Sequence, residues 1–123
     1  HDVSVPVSKI PVFLTLADAA AEKVAPGARI VAFGHCSDGN IHYDVIQPSS
    51  MSAETYKALV PQMNEAIHDV AMSFNGSISA EHGIGISRRD EFLRREPEAH
   101  LVLMRAIKAS FDPKNIMNPR VLL

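Results

Sequence analysis

Two stretches of helical hydrophobic period, separated by two short apolar runs, constrain this chain more than any other feature. The first stripe is Ile10, Phe13, Leu14, Ala17, Ala20, Ala21 and Val24. Three-to-four spacing of this kind predicts a helix with one buried face. Ser8 is placed to cap it and Pro26-Gly27 to stop it. The second stripe is Leu59, Val60, Met63, Ala66, Ile67, Val70, Ala71 and Phe74, on a helix that follows Ser52 and stops at Asn75-Gly76. Pro61 predicts a kink, or the start of its regular part. Between the stripes, Arg29–Phe33 reads as a buried strand and Ile41–Ile46 as an alternating one. The polar turn His35–Asn40 joins them as a hairpin. Asp2–Val7 and Ser77–Glu81 read as two further short strands.

The resulting order, β-α-β-β-α-β, is the split βαβ, ferredoxin-like arrangement: an α+β fold in which an antiparallel sheet carries helices on one face. C-terminal helices follow. Ser87 with Asp90 resembles a capping box opening a short one. Pro97 is suited to the first residue of a last helix through Phe111, ended by Asp112-Pro113, and Asn118–Leu123 is irregular. No repeat, low-complexity stretch or linker divides the chain, so a single domain over residues 1–123 is expected.

Composition removes several function classes. Hydrophobic residues at 46% and charged residues at 21% are ordinary for a soluble globular domain. Net charge is −2, Trp is absent, and basic residues cluster only at Arg88-Arg89 and Arg94-Arg95, which argues against nucleic-acid binding. The single cysteine, Cys36, excludes a disulfide framework and fits a reducing compartment, cytoplasmic or, in a eukaryote, the mitochondrial matrix. No apolar run approaches the ~20 residues of a transmembrane segment. The start at His1-Asp2, with neither an initiator Met nor a signal peptide, suggests a processed chain or fragment.

Chemistry concentrates at two places. His35 and His42 lie seven apart across the turn containing Gly39, so a hairpin brings both rings to one end of the sheet. They are either a pair of metal ligands, which must approach one ion to ~2.0–2.1 Å, or solvent-facing turn histidines; spacing alone does not separate the two. Glu81 and His82 end a predicted strand just before Gly83-Ile84-Gly85, where a bend can send both toward one cavity. Glu81 with two imidazoles makes a His₂Glu set, the donor set of an open divalent site, and His82 is then left to move protons. A solvated turn is the competing reading. Gly83-Ile84-Gly85 does not match the dinucleotide fingerprint. Cys36 reads as a small packed thiol rather than a ligand, and Asp38 as turn chemistry. His68 and His100 read as surface residues, and Met63 as core.

At these residues the chain resembles the C-terminal domain of FAD-linked oxidases, the group of D-2-hydroxyglutarate dehydrogenase, D-lactate dehydrogenase and the glycolate oxidase flavin subunit. The matching motifs are Gly34-His35-Cys36-Ser37-Asp38-Gly39-Asn40-Ile41-His42, Ser79-Ala80-Glu81-His82-Gly83-Ile84-Gly85 and Phe111-Asp112-Pro113-Lys114-Asn115-Ile116-Met117-Asn118-Pro119, with Asp2-Val3-Ser4-Val5-Pro6 at the start. The resemblance implies that His35, His42 and Glu81 hold a divalent metal, Zn or Mn, that Asn40 contacts substrate, and that His82 is the catalytic base. It implies FAD bound by a separate N-terminal domain not contained in these residues, with no residue here assigned to it, and substrate-clasping basic residues upstream of His1. Two departures stand out: Ser37 replaces a common Gly, and Arg120 replaces the Gly of a closing Asn-Pro-Gly.

The expectation is therefore a substrate- and metal-binding part of an FAD-dependent enzyme that oxidises a small D-2-hydroxy acid, inactive by itself and partnered by the N-terminal FAD-binding domain. A free-standing ferredoxin-like ligand-binding module, such as a homo-oligomer, is the alternative. A small metal-dependent hydrolase ranks behind both.

Overall fold

The computed structural model describes residues 1–123, which divide into two compact units, His1–His82 and Gly83–Leu123. The fold is α+β, with a three-stranded antiparallel sheet and four α-helices. No helix is long and apolar enough to cross a membrane.

In the first unit, β1 (Asp2–Ser4), α1 (Ile10–Val24), β2 (Arg29–Phe33), β3 (Asn40–Ile46) and α2 (Ala53–Ser73) follow in order. The sheet runs β1-β3-β2, so β3 is central. Its register sets Val3 opposite Ile41, Asp2 opposite His42, and Phe33 opposite His42 from the other side. Alternation sends Ile41 and Tyr43 to one face with Val3. There they meet Phe13, Ala17 and Ala21 of α1 and Met63, Ile67 and Ala71 of α2 in one buried cluster. Both helices thus cover one face, and the same alternation turns Asp2, His42 and Phe33 to the other. Tyr43 is fully buried, and its hydroxyl reaches the core's rim to donate to Asp18 Oδ1 at 2.6 Å. Burial and the neighbouring Asp18 carboxylate both push its phenol pKa upward.

Several expected boundaries shift. β1 ends at Ser4 because Pro6 has no N–H to continue a ladder. Val5 N–H instead donates to Gly39 O, and a Cβ on Gly39 (φ +76°) would stand 2.1 Å from Val5 O. The expected strand Ser77–Glu81 shrinks to one antiparallel bridge between Ser4 and Ser77, on the outer edge of β1. Ser8 does not cap α1: a 3₁₀ turn at Val7–Lys9 leads in, and Lys9 precedes the helix without a side-chain cap. Ser52 does cap α2, accepting from Thr55 N–H, and α2 continues through Pro61. β2 is not buried: it is an edge strand, with Phe33 57% and Val31 40% exposed. His68 is 1% exposed rather than at the surface, because its flank of α2 turns inward against the ring of His1, 5.4 Å away edge-on. Cys36, expected to be packed, lies exposed in the 3₁₀ turn Cys36–Asp38.

The second unit holds α3 (Arg89–Arg95) and α4 (Glu98–Phe111). Neither Ser87 nor Asp90 caps α3, which is preceded by Arg88 and braced by Arg95 Nε to Glu91 at 2.8 Å. Pro97 sits just before the first residue of α4. The closing Phe111–Pro119 motif has a clear local purpose. The Asp112 carboxylate accepts the N–H groups of Ile116 and Met117 at 2.9 Å each, while Lys108 Nζ donates to Asp112 and to Met117 O. Lys108 is the main cause holding the Asp112 carboxyl below its ordinary range, with both N–H groups adding to it against the opposing effect of desolvation. Arg120, which stands where a Gly was expected, has φ +66°, a left-handed conformation.

Candidate metal centre

The site is assembled on the sheet face turned away from α1 and α2. Sheet register supplies its base: His42 stands on the central strand, with Asp2 opposite it on β1 and Phe33 opposite it on β2. The Phe33 ring packs against His42 at 5.0 Å and restricts its tilt. The turn between β2 and β3 supplies His35, and Asn40 opens β3.

Glu81 and His82 arrive by a route that differs from a strand. After the Ser4–Ser77 bridge the chain curls around the carboxylate of Asp2. Asp2 Oδ2 accepts from Ser79 Oγ at 3.1 Å and from the backbone N–H groups of Ala80, Glu81 and His82 at 3.1, 3.2 and 3.0 Å. Ser77 Oγ accepts from Ser79 N–H and tightens the bend. Consecutive N–H groups converging on one anion form a concave nest, which stabilises the negative charge. Asp2 is 2% exposed. Burial pushes its carboxyl up, but the N–H groups of His82 and Glu81, the Ser79 hydroxyl and the His82 ring outweigh this and hold it below the usual carboxylate range.

The bend delivers the Glu81 carboxylate between the histidines. His42 Nε2 lies 2.9 Å from Glu81 Oε1, and His35 Nδ1 lies 3.5 Å from Glu81 Oε2. Asn40 Nδ2 donates to His35 Nδ1 at 3.1 Å, orienting that ring. Hydrogen bonding from Asn40 is the main cause holding Glu81 below its ordinary range, and His35 and His42 add to it against desolvation. Asn40 Oδ1 is buried with no hydrogen-bond partner, an acceptor that favours a donor group brought to it. His82 stacks on His42, with ring centroids 5.2 Å apart and planes 19° from parallel. Its own side chain is 64% exposed.

All five residues singled out in the sequence, His35, Asn40, His42, Glu81 and His82, therefore meet at one place. Asp2 was missed as a member of it. One ligand atom each from Asp2, His42, Glu81 and His82 lies within 4.8 Å of the others, a set that does not include His35. Two ligands about 2.1 Å from one ion and about 90–110° apart stand roughly 3.0–3.4 Å from each other, close to the spacings Glu81 makes with His42 and His35. The donor set of two imidazoles and a carboxylate suits a divalent ion, while Asp2 Oδ2 is already committed to the bend. Asp38, by contrast, accepts from the adjacent Ser37 hydroxyl and is exposed, so it stays turn chemistry.

The sequence signal for Asp2 was its place in the opening Asp2-Val3-Ser4-Val5-Pro6 motif. Its role needed the pairing of β1 with β3, which no local pattern reveals.

The family described as FAD linked oxidases, C-terminal domain, matches residues 1–122. The chain is 40% identical over 119 residues to a D-2-hydroxyglutarate dehydrogenase of Stutzerimonas stutzeri, covering 97% of this chain and 26% of that protein. It is 34% identical to the mitochondrial D-2-hydroxyglutarate dehydrogenase of Danio rerio, covering 97% of this chain and 21% of the relative. The mitochondrial D-lactate dehydrogenase (cytochrome) 1 of Saccharomyces cerevisiae is 37% identical over 120 residues, 96% of this chain and 19% of that one. The chain spans about a quarter or less of the length of these curated relatives.

Proposed function

This chain belongs to the family of FAD-linked oxidase C-terminal domains, and from that premise we propose that it forms the substrate- and metal-binding part of a dehydrogenase that oxidises a small D-2-hydroxy acid to the 2-oxo acid. Residues 1–123 act as one functional domain in this reading, partnered by an FAD-binding domain of the parent protein. The observation that carries it is the convergence of His35 and His42 on the Glu81 carboxylate, with His82 stacked alongside.

His35, His42 and Glu81 would hold the divalent ion, which when bound polarises the hydroxyl and carboxylate of a 2-hydroxy acid. The family's FAD supplies the two-electron acceptor. This chain's residues do the rest. His82, with Nδ1 3.8 Å from Asp2 Oδ2 and Nε2 3.9 Å from Glu81 Oε1, takes the substrate hydroxyl proton. The exposed ring is accessible to a bound ligand. Asn40, fixed to His35 at the edge of the site, would be the residue that contacts the substrate. The relatives named as acting on D-2-hydroxyglutarate and D-lactate support this substrate class.

The test is turnover of the full-length protein with D-2-hydroxyglutarate and D-lactate, before and after metal chelation, and with His82→Ala. Loss of general-base help is expected to cost ~10²–10⁴ in rate with the metal retained. Undiminished turnover in His82→Ala would overturn the assignment of the base. A protein that binds 2-hydroxy acids without oxidising them would be a binding module instead.

A further inference from the structure

The two flanks of the sheet beside His42 differ. On the β1 flank Asp2 is 2% exposed, and the Ser79–His82 bend closes over it. The β2 flank is bare. Register sets Phe33, Val31 and Arg29 opposite His42, Asp44 and Ile46, and alternation turns all six to the face that carries the site. Phe33 is 57% and Val31 40% exposed, and the Phe33 ring lies 5.0 Å from that of His42. Asp44, next after His42 on this face of β3, is exposed as well.

These positions limit where a bound acid can send its substituent. The carboxylate and hydroxyl of the acid are claimed at Glu81 and His82. The bend fills the β1 flank, so the β2 flank is what remains for the group on the reacting carbon. There it meets an aromatic ring and an isopropyl group, a surface that gains from being covered by alkyl or aryl carbon. Asp44 adds a repulsive element, because a second carboxylate on the substituent would face a like charge. Arg29 is the one Lys or Arg on this face of the three strands. It stands opposite Ile46 at the far end of β2, with Asp44 between that position and His42.

We propose that Phe33 and Val31 form the side-chain subsite, that it takes an alkyl or aryl substituent, and that Asp44 selects against a second carboxylate. The preferred substrate is then a monocarboxylic 2-hydroxy acid with an apolar side chain. This rests on the reading of the site as one that binds a 2-hydroxy acid beside His42 and Glu81. One strand pair thereby divides the recognition: β3 holds the reacting end of the acid, and β2 reads its other end.

The test compares D-2-hydroxypentanoate with D-2-hydroxyglutarate on the full-length flavoprotein. The two acids share a chain length and differ in a terminal methyl against a terminal carboxylate. Wild type is expected to favour the first by ~10-fold or more in kcat/KM. Calorimetric binding of the products, 2-oxopentanoate and 2-oxoglutarate, to the oxidised protein makes the same comparison without turnover. Phe33→Ala is expected to narrow both ratios and to flatten the gain per methylene from D-lactate to D-2-hydroxypentanoate. Val31→Ala, a smaller truncation on the same face, takes its place if Phe33→Ala does not fold. Asp44→Asn, which keeps the shape and removes the charge, is expected to cut both ratios at least ~5-fold at low salt. A wild-type preference for the dicarboxylate, or ratios that none of these variants changes, would overturn the proposal. A protein that neither oxidises nor binds any of these acids would overturn the proposed function and the subsite with it. One that binds 2-oxopentanoate selectively yet oxidises nothing would overturn the oxidation alone and support the subsite.

Discussion

Gly76→Ala should damage the site from a distance. Gly76 carries no side chain to the centre, yet it begins the segment that does. A Cβ there would stand 2.1 Å from Ser4 O and 2.7 Å from Ala71 O, both backbone atoms that cannot swing aside. Relief requires the chain to lift off β1. That breaks the paired bonds Ser4 N–H to Ser77 O (3.1 Å) and Ser77 N–H to Ser4 O (2.9 Å). Each such bond is worth about 1 kcal/mol net, and overpacking strain adds about 1–3 kcal/mol. The expected loss is about 3–5 kcal/mol of stability, measured by urea unfolding. Because the lifted segment is the one that wraps Asp2, zinc affinity should fall with it, although no ligand has changed. A second variant separates bend from bridge: Ser77→Ala keeps the bridge but removes the hydroxyl that accepts from Ser79 N–H, and should cost about 1 kcal/mol. If Gly76→Ala unfolds at the wild-type urea concentration and binds zinc as tightly, the claim that this bridge holds the site together is refuted.

Three further outcomes follow from the packing. Ile67→Ala empties a fully buried position between the helices and the sheet, and should cost about 2–5 kcal/mol in chemical denaturation. Arg120→Gly should stabilise the second unit by up to about 1 kcal/mol, since φ +66° is strained for any side chain and natural for glycine; a thermal midpoint at or below the wild type would contradict it. Asp112→Asn removes a carboxylate whose folded pKa is depressed. A depressed carboxylate contributes stability above its unfolded pKa and loses it as pH falls through the folded one. The variant should therefore be less stable at neutral pH, with the gap to wild type closing as pH drops below the ordinary value of 3.8; a gap that widens in acid would be the wrong sign.

How far the sequence was legible varies with the range of the interaction. Both long helices were readable because their stripes are local and repeat at the helical period; Phe13, Ala17, Met63 and Ile67 are buried as their spacing requires. His35, Asn40 and His42 were readable as neighbours because a short turn brings them together whatever the rest of the chain does. The failures involve partners distant in sequence. His68 lies off the stripe of its own helix and is buried because His1, far away in the chain, packs against it. Arg29–Phe33 has the composition of an interior strand but takes the edge of the sheet, and composition does not encode strand order. The departure at Arg120 became interpretable only as a backbone angle.

Local patterning by itself thus determined the α+β class and the two-helix core, and it singled out His35, His42, Glu81 and His82, while Asn40 came from the family resemblance. Tertiary structure decided how they meet. Ser77–Glu81 has the pattern of a strand, but one bridge is all it forms, because the next residues give their N–H groups to a buried carboxylate instead of to a neighbouring strand. That carboxylate is Asp2, near the opposite end of the unit. A charge held away from water must be met by donors from wherever the fold can supply them. Only the register of β1 against β3 places Asp2 where the bend, His42 and His82 can all reach it.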